Sequence, residues 1–136
     1  MNSHDIVDVE YRVMDMLLAG DNECLSILRG QLNGISVLSR DLSGKGFYTK
    51  YLIAPGLDRL KNYPTFKLGD VNGSARNVAY GLGFLLYIAG GAISMLEGYT
   101  YGEPWPKKLE NLTLSYSDGG PRDMGKIREI LRPSKG

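Results

Sequence analysis

The sequence predicts an α+β protein in which helices come first, an antiparallel sheet follows, and a short helix ends the chain. Apolar residues recur every three to four positions up to residue 34, and the period changes to two from residue 35. Runs of helical pattern that are separate from runs of strands are typical of α+β architectures. We expect one domain with a helical segment over residues 1–34, a sheet over 35–117, and a short helix and tail over 118–136.

The helical segment predicts two helices. Residues 5–19 place apolar side chains on one face, and Gly20-Asp21-Asn22 interrupts the pattern. A second helix then continues to Asn33-Gly34, where a glycine can take the left-handed conformation that ends many helices. At the other end of the chain, a helix is expected from about Pro121 to Leu131, with proline in its first turn.

Alternating and apolar runs predict about five or six strands. The expected strands cover residues 35–42, 46–54, 82–88, 92–101 and 112–117. A short or bent strand region is expected over 65–68 and 71–75. Residues 82–88 are apolar at odd and even positions alike, which predicts a central strand that is covered on both faces.

The composition excludes several chemistries. One cysteine, Cys24, and one histidine, His4, cannot form an internal disulfide or a usual zinc site, and a catalytic triad would need His4 near the start of the chain. A net charge of +1 argues against a general nucleic-acid binder. We expect no cofactor and no membrane span, since the longest apolar stretch, residues 81–92, is shorter than the roughly 20 residues that a span needs. The start of the chain lacks the pattern of a signal peptide, so we expect a cytoplasmic protein.

Charge is unevenly distributed along the chain. Residues 1–24 hold six acidic residues and one basic residue, whereas the remainder of the chain is basic overall. Two interpretations are open: a solvated helix face, or an acidic docking surface that includes Asp8, Asp15 and Glu23.

The best grouping of polar and aromatic residues lies between residues 97 and 105. Alternation places Glu97, Tyr99 and Tyr101 on one strand face, with Glu103 and Trp105 in the loop that follows. Aromatic rings beside a carboxylate suit a cationic or sugar-like ligand, and a hydrolase would need both carboxylates in one pocket. The alternative is a structural role, in which Trp105 covers one end of the sheet.

Two segments also carry a resemblance. Residues 39–49 read SRDLSGKGFYT and residues 96–106 read LEGYTYGEPWP. Both are similar to patterns in a group of small, mostly bacterial proteins of unknown function. The resemblance implies a compact cytoplasmic α+β protein and carries over no catalytic residue. Arg40 lies in the first segment, and it could form an ion pair with Glu97 across the sheet.

The sequence contains no recognisable arrangement of catalytic residues. This favours a non-enzymatic binding protein that binds a protein partner or a second copy of itself. An immunity-type protein that neutralises a toxin is one concrete form of this hypothesis. The alternative is a small-molecule-binding protein or hydrolase that uses Glu97 and Glu103 with the neighbouring aromatic residues.

Overall fold

The structure is a computed structural model and describes residues 3–134. The ends of the expected segments, residues 1–2 and 135–136, lie outside the described residues. In chain order the elements are α1 (Ser3–Leu17), α2 (Glu23–Gln31), a single 3₁₀ turn (Leu32–Gly34), β1 (Ile35–Ser43), β2 (Gly46–Ile53), β3 (Phe66–Leu68), β4 (Val71–Ala75), β5 (Val78–Ala89), β6 (Ala92–Thr100), β7 (Thr113–Tyr116) and α3 (Met124–Ile130). The predicted α+β class and the order of helices and strands are confirmed.

Within residues 3–134 the strands form one antiparallel sheet of seven, in which the main path follows the order β1-β2-β6-β5-β4-β7. β3 also pairs with β5, next to the part of β5 that pairs with β4. The two expected segments, 65–68 and 71–75, therefore form separate strands, and β5, which is 12 residues long, has room to pair with both. Within the described residues, β1 and β7 are edge strands, each paired along one side.

The helices cover one face of the sheet. In β2, Phe47, Thr49, Tyr51 and Ile53 are buried, whereas the residues between them are exposed. The inner face continues through buried residues of β5 and β6, and together with the apolar sides of α1 and α2 they make one hydrophobic core. In β5 these are Val78, Leu82, Phe84, Leu86 and Ile88, and in β6 they are Ile93, Leu96, Gly98 and Thr100. We call the opposite side of the sheet its outer face.

The prediction that residues 82–88 are covered on both sides is wrong. The inward side chains of Leu82, Phe84 and Leu86 are fully buried, but Leu85 and Tyr87 on the outer face are only half-buried. They contact neighbouring strands instead of a second layer of helices. An apolar run indicates that a strand is central. In β5, side chains of the neighbouring strands supply the partial cover of Leu85 and Tyr87.

The C-terminal helix begins three residues later than predicted. The side chain of Asp123 accepts a hydrogen bond from the backbone N–H of Lys126 at 3.2 Å, which fixes the first turn of α3 after Pro121 rather than at it. Arg122, just before this cap, is largely buried. It donates to both carboxylate oxygens of Asp70 at 2.8 and 2.9 Å and to the carbonyl of Ala19 at 2.7 Å. This arginine therefore connects the C-terminal segment to β4 and to the end of α1.

A buried glutamine connects α2 to the middle of the sheet. The amide of Gln31 donates to the carbonyls of Asp58 and Gly91 at 2.9 and 3.0 Å, and its oxygen accepts from the N–H of Ile93 at 2.9 Å. Gln31 is fully buried, so these backbone groups have no water as an alternative partner. The three bonds fix the turn between β5 and β6 against the helical layer.

We predict that Gln31→Leu lowers the free energy of unfolding by about 2–4 kcal/mol, because it leaves buried backbone groups without partners at almost unchanged volume. Urea unfolding measures this change. The exposed Ser26→Ala on the same helix is the control, with an expected change within about 0.5 kcal/mol. Equal stability of Gln31→Leu and the wild type would show that the glutamine does not hold the turn.

Candidate binding surface

The two sequence segments that carry the resemblance lie side by side in the fold. Residues 39–49 form most of the β1–β2 hairpin, and residues 96–106 form the end of β6 and the loop after it. β2 and β6 pair directly, with Gly46 opposite Tyr99 and Tyr48 opposite Glu97. The turn of the hairpin also accepts hydrogen bonds from the N–H groups of Thr100, at 3.0 Å, and Trp105, at 2.9 Å. The segments thus form one continuous structure.

The outer face of this structure carries a group of aromatic residues around one carboxylate. We call it the tyrosine face, and it consists of Tyr48, Tyr87, Glu97, Tyr99 and Tyr101. The hydroxyl of Tyr87 donates to Glu97 at 3.2 Å, and Tyr48 lies directly across from Glu97 in the neighbouring strand. The rings of Tyr99 and Tyr101 meet edge to face, with centroids 5.5 Å apart. None of the helices in the described part of the chain covers this group.

A glycine gives the tyrosine face its shape. Gly83 lies opposite Tyr99 in β5, and the ring of Tyr99 rests on its backbone. A Cβ atom at position 83 would overlap that ring, so any larger residue would push Tyr99 away from the sheet. The glycine therefore allows the ring to lie flat along the outer face.

Burial and the charge of Glu97 keep the tyrosine hydroxyls protonated. The negative charge of Glu97 raises the pKa of Tyr48, and burial together with Glu97 raises the pKa of Tyr87. Burial and the hydrogen bond to Tyr101 raise the pKa of Tyr99 to about 12. At neutral pH the group thus presents hydrogen-bond donors around a carboxylate. Across residues 3–134, no lysine or arginine lies within ion-pair distance of Glu97.

Two residues of the predicted grouping make other contacts. Glu103 accepts hydrogen bonds from the N–H groups of Ala79 and Tyr80 at 3.0 and 2.8 Å, one to each carboxylate oxygen, at the start of β5. Trp105 packs edge to face on Phe47, with centroids 5.3 Å apart, and Phe47 is a buried residue of the inner face. Glu103 therefore pairs with backbone at one end of the sheet, and Trp105 covers core residues.

Arg40 pairs with Glu10 instead of Glu97. The Nη2 atom of Arg40 lies 2.6 Å from Oε1 of Glu10, and Nε lies 3.2 Å from Oε2. The hydroxyl of Thr49 donates to the same carboxylate. Glu10 is only 2% exposed, so the pair joins α1 to the β1–β2 hairpin inside the protein.

Sequence reasoning missed Glu10, which it counted among the surface acids of residues 1–24. One signal could have found it. Glu10 lies four residues after Ile6 and four before Met14, and both are buried on the apolar side of α1. A carboxylate in the apolar stripe of a helix requires a buried partner. The sequence does not show that this partner is Arg40, 30 residues away.

The burial of Glu10 removes one negative charge from the surface of the acidic segment, residues 1–24. Asp8 is exposed and lies 3.8 Å from Arg12, one helical turn away, which neutralises part of its charge. Asp15 and Glu23 are exposed. The acidic surface is consequently smaller than the count of residues predicts, although Asp8, Asp15 and Glu23 are all exposed.

Comparison with protein-family models, with curated proteins and with solved structures finds no match for this chain. None of the helices in the described part of the chain combines the length and the hydropathy that crossing a bilayer requires.

We predict that Arg40→Met destabilises the protein by about 3–5 kcal/mol, because it leaves the carboxylate of Glu10 buried without its cation. The double variant Arg40→Met with Glu10→Met recovers most of that loss, since an apolar pair of similar volume replaces the ions. Urea unfolding of the wild type, the two single variants and the double variant gives the coupling free energy between Glu10 and Arg40. Arg76→Met, which removes an exposed ion pair with Glu110, is the control and costs less than about 1 kcal/mol. Additive effects of the two substitutions would contradict the buried pair.

We predict that Glu97→Gln lowers the pKa of Tyr48 and Tyr87 toward the ordinary tyrosine value of about 10. Phenolate absorbance during an alkaline titration measures this shift. Because these tyrosines hold their protons more tightly in the folded state, their contribution to stability is lost as the pH rises above about 10. Glu97→Gln reduces that loss. Glu110→Gln is the matched control, and an identical titration for wild type and Glu97→Gln would place Glu97 away from the hydroxyls.

Proposed function

We propose that this chain is a non-catalytic binding protein and that it contacts a protein partner through the tyrosine face. One observation carries the proposal: an outer sheet face without a covering layer bears four tyrosines around a carboxylate, and that carboxylate has no basic partner within residues 3–134. Most soluble proteins cover or charge such surfaces, so a concentrated aromatic group indicates a contact site.

Tyrosine is well suited to this role. Its ring supplies a large contact area, and its two side-chain torsions cost little conformational entropy when they are fixed by binding. Here Tyr99 is already positioned by Gly83 and by its edge-to-face contact with Tyr101. Residues that are fixed before binding contribute more affinity, and tyrosine is common among the residues that dominate interface energies.

The charge of Glu97 selects the chemistry of the partner. A carboxylate beside aromatic rings favours a cationic side chain, because an arginine can pair with the carboxylate while its plane lies on a ring. Lys50 lies on the same face but outside ion-pair distance of Glu97. We therefore propose that the partner presents an arginine or lysine to Glu97.

A basic toxin is one concrete partner of this kind. An immunity-type protein acts by covering a surface of its toxin and needs no catalytic residue of its own. The exposed Asp15 and Glu23 would add favourable long-range attraction to the same basic partner. The resemblance of residues 39–49 and 96–106 to a group of small bacterial proteins is part of this proposal, since both segments build the tyrosine face.

Paired affinity capture tests the proposal. Wild type, Glu97→Arg, Tyr99→Ala and the double variant Asp15→Lys with Glu23→Lys serve as baits in extract of the source cells. We expect a protein that the wild type enriches, that Glu97→Arg and Tyr99→Ala lose by more than tenfold, and that the helix variant retains. Titration of the purified partner against each bait then confirms direct binding, with a weaker affinity at high salt.

Two outcomes would contradict the proposal. Equal capture by all baits would show that the tyrosine face is not the contact surface. Loss of binding with the double helix variant alone would place the contact on the acidic surface of α1 and α2. For the immunity form, the purified partner must inhibit growth when expressed alone, and co-expression of the wild-type chain, but not of Glu97→Arg, must restore growth.

A further inference from the structure

A cleft of about 180 Å³ lies on the other side of the sheet from the tyrosine face, between α1 and the edge strand β1. Its walls are mainly apolar and come from residues of both elements: Val7, Tyr11, Met14, Ile35 and Val37. Val7, Tyr11 and Val37 are between 37% and 47% exposed, so the cleft opens to solvent along its outer rim. None of these residues belongs to the tyrosine face.

The floor of the cleft is polar but electrically balanced. Glu10 and Arg40 line it, and their ion pair cancels the two charges. A charged ligand would therefore gain no net attraction and would lose its hydration on entering. The cleft favours a neutral ligand.

A buried hydroxyl without a partner lies at the same place. Tyr51 lines the cleft and is 8% exposed, and its hydroxyl makes no hydrogen bond to any residue that the structure describes. In addition to burial, the carboxylate of Glu10 raises the pKa of this hydroxyl through its charge and through a weak hydrogen-bond contact, and that contact falls outside the geometry of a full hydrogen bond. Burial raises the pKa of Tyr51, so the hydroxyl remains a donor at neutral pH. A buried donor without a good partner is unfavourable, and an acceptor on a ligand would satisfy it.

From this geometry we propose that the cleft between α1 and β1 binds a small neutral ligand, about the size of one substituted ring, whose oxygen or nitrogen accepts a hydrogen bond from Tyr51. The volume supports this size, because an apolar cavity of about 150 Å³ accommodates benzene. Tyr11 is 46% exposed and lies close enough to Tyr51 to affect its hydroxyl. Because the hydroxyl itself is buried, a side chain at the cleft must move before a ligand can reach it, and we assign this movement to the exposed Tyr11.

Two probes of similar size test the proposal: acetophenone, which has a ring and an acceptor, and isopropylbenzene, which has the ring alone. Methyl resonances of Val7, Met14, Ile35 and Val37 are followed by NMR during titration of the full chain. We expect saturable shifts with both probes and at least tenfold tighter binding of acetophenone. Tyr51→Phe should remove this difference and keep the binding of isopropylbenzene, because it deletes only the hydroxyl.

Substitutions at the rim locate the binding. Val37→Trp fills the cleft and should abolish the shifts from both probes. Leu42→Trp adds the same bulk at an exposed position of β1 that does not line the cleft, and it should leave binding unchanged. Resonances of Tyr48 and Tyr99 should not move in any titration. The amide spectrum of each variant shows that it is folded before the probes are added.

Any of three results would overturn the proposal: no saturable shift in the wild type, equal affinity for the two probes, or unchanged binding in Val37→Trp. Shifts centred on the tyrosine face would also contradict it. The cleft and the tyrosine face lie on opposite sides of the sheet, so the two proposals are tested independently. Failure of the probes to bind in the cleft would not affect the proposal of partner binding, and failure of partner capture would not affect the proposal of ligand binding.

Discussion

The buried ion pair between Glu10 and Arg40 determines how the two layers of this protein fit together. Within residues 3–134, β1 pairs with β2 alone, so β1 is an edge strand and only β2 joins the hairpin to the rest of the sheet. A carboxylate on α1 binds an arginine on β1 and a threonine on β2. Because removing either charge would leave the other buried and unpaired, the helix must cover this face of the hairpin. The opposite face then remains open, and β2, β6 and β5 display the tyrosine face there.

The elements of the fold follow from local patterns in the sequence, and their packing does not. The change of period at residue 35 predicted where β1 begins, and alternation correctly placed Glu97 and Tyr99 on one face. The same alternation could not tell whether residues 82–88 have a second covering layer, because a lateral neighbour and a covering helix both favour apolar residues. Only the tertiary structure shows that Leu85 and Tyr87 stay half-exposed.

Part of the candidate site was beyond sequence reasoning for a physical reason. The loop of residues 101–112 has no periodic pattern, so nothing in it indicates that Glu103 would bind the backbone at Ala79 and Tyr80. The pairing of Glu10 with Arg40 joins residues that are far apart in the chain. Charge types alone suggested Glu97 as the ion-pair partner of Arg40, and they did not indicate Glu10. The role of Gly83 also depends on tertiary structure. This position requires a residue without a Cβ atom, because the ring of Tyr99 lies on its backbone. A surface built in this way depends on contacts between strands rather than on a single motif.

Hydrogen exchange of arginine side chains tests the central interaction most directly. The Nε proton of Arg40 points to a carboxylate that is 2% exposed, whereas that of Arg76 belongs to an ion pair at the surface. In an NMR exchange experiment the Arg40 proton should be observed at neutral pH, with exchange far slower than that of Arg76 and with contacts to Glu10. Exchange of Arg40 as rapid as that of Arg76 would show that α1 is not joined to the hairpin by this pair, and the arrangement of the two faces would need another explanation.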